Sequence, residues 1–274
     1  MPIDPRILGR PSQPATPAAP KSVRQCLIDA VGYPVRGSGW AIIVAGAFCY
    51  WFARLVSSVA LGIFARPGGF CIAMFTTGYV LAYMMKIVFS SACGEDDPPD
   101  WPDLTSLWEG IFKPIFQFLA VAAIGFLPLI VLMMSLDWTN AGPLMQLIRT
   151  YPDWGWGDLQ GSWASLVQAL AYILPILGLL YLPMALLAMA MLEWGGLNPL
   201  VVVQAIRRGG ASYLMIVGAI AAACLLNWLA RVLAIPFVGG ILRGMINLYC
   251  LMATMRLLGL LYRMKEKALD WDVK

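Results

Sequence analysis

Four arginines sit inside runs that are otherwise apolar: Arg54, Arg231, Arg243 and Arg256. Asn227 and Asn247 share those runs. Asn227 lies four residues before Arg231, and Arg243 four before Asn247, so each pair occupies one face of a helix. A charge at the centre of a bilayer costs at least about 2.5–3.5 kcal/mol on insertion scales, so it turns toward the bundle interior, water or a partner. Guanidinium groups bind phosphate and carboxylate bidentately, which makes these six residues candidates for an anion or lipid-headgroup site. Anchoring is the competing reading. It places Arg54 below the midplane, Arg231 and Arg243 beside an outer loop around Pro236, and Arg256 snorkelling to the cytoplasmic surface.

The acidic candidates form one cluster: Glu95, Asp96, Asp97, Asp100 and Asp103 fall within nine positions. Carboxylates attract divalent cations, but the spacing is not that of an EF-hand, and Pro98, Pro99 and Pro102 stiffen the segment. Cationic side chains are the expected partners, and Arg207 and Arg208 on a neighbouring cytoplasmic helix supply them. Asp103 stands where it would cap a helix beginning at Leu104. Glu193, near the end of a long apolar run, reads as an interfacial residue rather than a proton relay.

Composition removes whole classes of chemistry. The chain has no histidine, which excludes His-based triads, HExxH zinc sites and imidazole relays. It carries no GxSxG and no P-loop. Its six cysteines lack CxxC spacing, and Cys49, Cys71, Cys224 and Cys250 lie in apolar runs, so they read as small buried hydrophobes. No enzyme activity, cofactor or metal is expected. A net charge of +4, dispersed along the chain, gives no basis for nucleic-acid binding.

The elements that must position these residues are membrane spans. Of 274 residues, 60% are hydrophobic and 12% charged, about half the charge of a soluble domain, and mean hydropathy is +0.75. Apolar runs of roughly twenty residues each suffice to cross about 30 Å of hydrocarbon as helices. The expected fold is an all-α polytopic transmembrane bundle of about six spans, near 39–64, 69–90, 115–136, 163–192, 211–232 and 237–262. Together, residues 21–263 form one membrane domain. Before it lies a proline-rich tail, 1–20, too poor in apolar residues to order itself, and after it a charged tail, 264–274. No apolar segment precedes residue 39, so a removable signal peptide is not expected. Three amphipathic interfacial helices precede alternate spans: Lys21 to Tyr33, Leu104 to Lys113, and Asn198 to Arg208, the last opened by an Asn cap and a proline. Pro175 and Pro183 should kink the fourth span. Tyr151, Trp154 and Trp156 in the long loop suit the headgroup layer.

A surface helix followed by a helical hairpin, three times over, suggests a parallel repeat. The pattern resembles a family of uncharacterised prokaryotic membrane proteins, the domain of unknown function 4013. The resemblance rests on Gly94, Glu95, Asp96, Pro98, Pro99, Trp101, Asp103, Leu104, Trp108 and Gly110, on the later turn at Asn198 and Pro199, and on the closing Gly259, Leu260, Tyr262 and Arg263. It covers about residues 22 to 263 and leaves out the proline-rich tail and the loop near Trp154. More distantly, the layout is similar to the membrane domain attached to some glycerophosphodiester phosphodiesterases, without a catalytic domain. The resemblance implies an architecture rather than a reaction.

Thirteen of the nineteen Lys and Arg residues fall on the side that holds the termini, against two, Arg66 and Arg149, on the other. By the positive-inside rule both termini are cytoplasmic, in a bacterial cytoplasmic (inner) membrane. The expected function is a non-enzymatic component that organises lipid or another membrane protein. A small carrier for an anionic solute or lipid, lined by the kinked fourth span, is the alternative. Membrane lipids are the expected partners, with another membrane protein or a second copy of the chain beside them. A C-terminal reporter should be inaccessible in intact cells and become accessible only after permeabilisation; labelling from outside would reverse the orientation.

Overall fold

The structure is a computed structural model that describes residues 22–59, 65–101, 106–137, 162–230 and 238–271. The proline-rich tail, the long loop with its aromatics, and residues 60–64, 102–105 and 231–237 lie outside the described residues. Within them every regular element is helical, with no strand. In chain order the α-helices are α1 (Val23–Gly32), α2 (Gly39–Val59), α3 (Ala65–Cys93), α4 (Lys113–Asp137), α5 (Ser162–Leu192), α6 (Pro199–Leu229) and α7 (Val238–Leu269). Four stretches of the described chain are long and apolar enough to cross a membrane: Trp108–Met134, Ala169–Leu197, Pro199–Leu229 and Gly239–Leu269. Gly39–Phe52 is a shorter apolar helix.

Several boundaries differ from expectation, and proline chemistry accounts for most of them. Pro67 and Gly68 were expected to separate spans, yet α3 begins at Ala65 and takes both into its first turn, where a missing N–H breaks no helical bond. Before Pro114 a wide π turn, Trp108–Phe112, runs directly into α4 instead of forming a separate surface helix. Asn198 accepts from the Leu200 N–H at 3.0 Å ahead of Pro199, as its cap signature implies. The helix it opens runs through Arg207 and Arg208 to a break at Gly210, where the glycine pair was expected to end it; the φ of 53° and ψ of −138° there suit a residue without a Cβ, and helix resumes to Leu229. At the C-terminal end, α7 runs on to Leu269 and takes in most of the charged tail.

Small residues set the helix contacts, as expected where apolar burial alone supplies little drive between helices. At Gly259 of α7, a Cβ would lie 2.4 Å from Ser91 Cβ and 2.5 Å from the Val88 carbonyl, so α7 packs against α3 almost backbone to backbone. Gly244 of α7 meets Ala47 of α2, and Gly240 meets Trp51 further along, which sets those helices antiparallel. Gly125 of α4 faces Tyr181 of α5 and Gly178 of α5 faces Phe126, a second antiparallel pair. The start of α4 seats Ile111 on Gly78, midway along α3. Met184, Leu187, Ile216, Met252, Leu258 and Leu261 are among the fully buried core side chains.

The outward surface is apolar. Leu127, Val131, Ile176, Leu177, Leu214, Leu226 and Trp228 are each more than half exposed, an area that in water would mark an interaction surface and that lipid tails would cover. Cysteines follow the same rule: Cys26 and Cys250 are buried and Cys93 is exposed, while Cys49 and Cys224 are exposed rather than buried as their apolar runs suggested. In a bilayer, an apolar residue needs no burial in protein.

Gly259→Ala should destabilise the detergent-solubilised protein by about 1–3 kcal/mol, because its methyl would meet backbone. Gly218→Ala, with open space around it, should be neutral or slightly stabilising. Equal thermal unfolding midpoints for the two variants would contradict this packing.

Candidate functional site: a buried arginine held by two carboxylates

The polar residues that the chain brings together surround Arg256, which is wholly buried. It follows the start of α7 by eighteen residues, about 27 Å along the helix axis at 1.5 Å per residue, close to the depth of one hydrocarbon boundary if α7 starts at the other.

Two carboxylates hold it. Nη2 donates to Asp29 Oδ2 at 3.0 Å and to Asp96 Oδ1 at 2.9 Å, and Nε donates to Asp29 Oδ2 at 3.3 Å. Nη1 donates to Ser91 Oγ at 3.3 Å and to the Glu95 carbonyl. The guanidinium plane lies over Tyr33, with Cζ 4.7 Å from the ring centroid, adding a cation–π contact. Asp29 in turn accepts from Arg36 Nη1 at 2.6 Å through its other oxygen. Arg36, Asp29, Arg256 and Asp96 therefore alternate in sign along one chain of contacts.

Local structure explains why these groups converge. α1 opens with a capping box, Ser22 and Gln25 each bonding the other's backbone N–H. Its inward face carries Cys26, Asp29 and Ala30, while Ile28 and Val31 are 65% and 61% exposed. The helix thus buries its carboxylate and shows aliphatic side chains outward, which is the arrangement that suits contact with lipid. α3 ends in a Schellman motif: the Gly94 N–H bonds the Ser91 carbonyl and the Glu95 N–H the Ser90 carbonyl, with Gly94 at φ 91°. That turn aims the Glu95 carbonyl and the Asp96 side chain at Arg256. A Cβ at Gly94 would sit 2.7 Å from the Arg263 guanidinium, so only glycine fits there.

Tyr33 completes the site. Its hydroxyl is buried beside the hydroxyls of Ser90 and Ser91; Ser90 donates to the Ile87 carbonyl, and Ser91 accepts from Arg256. Burial pushes its pKa up to about 12, against the opposing pull of the Arg256 charge, so the phenol stays neutral.

Beyond Asp96 the acidic segment returns along α3. Lys86 Nζ donates to the Asp100 carbonyl at 3.0 Å, Tyr83 Oη to the Pro99 carbonyl at 3.3 Å, and Trp101 stacks on both Tyr79 and Tyr83. Asp97 lies beside Gly37. The expected pairing with Arg207 and Arg208 is replaced, at Asp96, by the pair with Arg256. Arg208 Nη1 instead donates to the Leu269 carbonyl at 2.8 Å, where a cation complements the C-terminus of α7. Glu193, at φ 50°, meets Lys113 at 3.3 Å.

Of the arginines first singled out, Arg256 neither snorkels nor stands open to an anion, because two carboxylates already neutralise it. Asn227 and Asn247 do meet, Nδ2 to Oδ1 at 3.2 Å between α6 and α7, and Arg243 lies one turn from Asn247 with Nε donating to the Gly239 carbonyl at 2.9 Å. Arg231 and Asp103 lie outside the described residues, as does the side chain of Arg54 on α2. Sequence reasoning missed Asp29, Tyr33, Arg36 and Ser91 as site residues. The available signal was the spacing of Cys26, Asp29, Ala30 and Tyr33, one helical stripe with a single carboxylate in it.

Comparison with protein-family models, curated proteins and solved structures returns no match.

Replacing Arg256 with Met leaves Asp29 buried without its main counter-charge and should cost about 3–5 kcal/mol of stability. Asp96→Asn should cost less than about 1 kcal/mol, since that side chain is 67% exposed. Combining Arg256→Met with Asp29→Leu should recover much of the single-variant loss in denaturant unfolding; full additivity of the two changes would show that the charges are not coupled.

Proposed function

We propose that the chain is a six-span integral membrane protein of the bacterial inner membrane, with both termini cytoplasmic, serving as a non-enzymatic component that organises lipid or another membrane protein. α2 to α5 and α7 have at least 21 residues each, and α6 has 19 beyond its break at Gly210, long enough to cross about 30 Å at 1.5 Å per residue. The first and last described segments meet: Cys26 Sγ lies 3.5 Å from Met264 Sδ. Residues that meet at one end of a bundle are joined by an even number of crossings, which supports six and puts both termini on the side rich in Lys and Arg.

The single observation behind the functional reading is the division between inside and outside. The buried cation is neutralised within the fold, whereas the outer surface is apolar. At the ends of the helices that surface continues into Ile28, Val31 and Val35, into Leu107 and Trp108, and into Trp194, Leu200 and Val203, all exposed. Such residues beside basic ones suit segments lying in a headgroup layer.

Reconstituted in proteoliposomes, the protein should carry no anion flux under an imposed gradient. Flux that vanishes in Arg243→Gln would replace this reading with the carrier.

A further inference from the structure

Arg256 and Arg243 stand on the same helix thirteen residues apart and meet opposite surroundings. Arg243 is exposed on the outer surface of α7, five residues after the helix begins and so about 7 Å along it. Within the described residues no carboxylate pairs with it. Its Nε–H is committed to the Gly239 carbonyl at 2.9 Å, which fixes the guanidinium against its own helix and leaves the Nη hydrogens free. One turn on, Asn247 accepts from Asn227 through Oδ1, so the Asn247 amide has a donor to offer and an acceptor already used. Two adjacent positions on one face of α7 therefore present N–H groups to the outside, beside a fixed positive charge.

From this we infer that Arg243 and Asn247, held in place by Asn227, bind the phosphodiester of a phospholipid headgroup at the membrane boundary opposite the termini. The inference rests on the spanning reading of α6 and α7. A guanidinium fork matches phosphate oxygens two at a time and is never deprotonated, and it is the permanent charge that needs a counter-ion in this layer. The flanking surface supplies the rest of a lipid site: Leu225, Leu226 and Trp228 on α6 are 56%, 52% and 59% exposed, suited to acyl chains. From the α2 side, Trp51 packs against Gly240, one turn from Arg243. Arg256 cannot serve in this way, because its charge is already balanced by Asp29 and Asp96.

Native mass spectrometry of the full chain, released from detergent after titration with phosphatidylglycerol, tests this directly. The unmodified protein should retain one phospholipid more tightly than the rest. Arg243→Gln should weaken that adduct by about tenfold, the loss expected for one charge-assisted hydrogen bond, and Asn247→Ala by less. Arg24→Gln, a basic residue on α1 far along the sequence, serves as the control and should leave it unchanged, and unfolding midpoints should show that all three variants fold. Equal retention by the unmodified protein and Arg243→Gln would overturn the inference. So would displacement of the adduct by millimolar inorganic phosphate alone, which would make the site one for a free anion. A failed scaffold reading would show instead as anion flux in proteoliposomes, a measurement independent of lipid retention.

Discussion

The structure depends on keeping a charge that has no water. Arg256 is fully buried on the helix at the centre of the bundle, and an arginine there has to be neutralised by the chain itself. Three separate pieces of sequence meet that need: Asp29 from α1, Asp96 and the Glu95 carbonyl from the turn after α3, and Ser91 from α3. None of the three belongs to α7. Each is pinned by the same guanidinium, so α1, α3 and α7 have one common fixed point. The Schellman turn at Gly94 and the close contact at Gly259 both serve that point, since they bring the end of α3 within reach of it.

A bilayer changes what burial means, and α1 shows how. In water an amphipathic helix hides its aliphatic residues and shows its charges. α1 hides Asp29 and shows Ile28 and Val31. Its orientation is set by the partner of its charge: Arg256 draws Asp29 inward, and on the spanning reading the exposed aliphatic residues would meet lipid. The exposed Cys49 and Cys224 follow from the same balance.

Much of the fold was legible in the sequence, because hydropathy and helix length are local properties. The long apolar runs fall in helices α2 to α7, and four of the described stretches are long and apolar enough to cross a membrane. Where ends differ, one cause is a proline placed in a first turn, as Pro67 is in α3, whereas the break expected at the Gly209–Gly210 pair does stand at Gly210. The site was less legible. Arg256 was singled out because its charge stood in an apolar run, but its main partner lies 227 residues away, in a segment whose polarity suggested a surface helix and nothing more. Asp96 was noted with the acidic turn and expected to find Arg207 or Arg208, the nearest cations by topology. A pairing of that kind is fixed by which helices are neighbours, and hydropathy along the chain says nothing about neighbours.

The two arginines of α7 carry this one step further. Sequence alone treats Arg243 and Arg256 alike, as charges in the same apolar helix. They are separated by what packs beside them: α1 and the turn after α3 cover Arg256, whereas Arg243 stands on the open face that α6 and α7 share near Asn227. Where the chain supplies carboxylates, an arginine becomes part of the fold. Around Arg243 the described residues supply the Gly239 carbonyl and no carboxylate, and that difference is the ground for assigning it a lipid phosphate. The two arginines of α7 therefore divide by what surrounds them: Arg256 is paired with carboxylates inside the fold, and Arg243 is exposed with no carboxylate partner among the described residues.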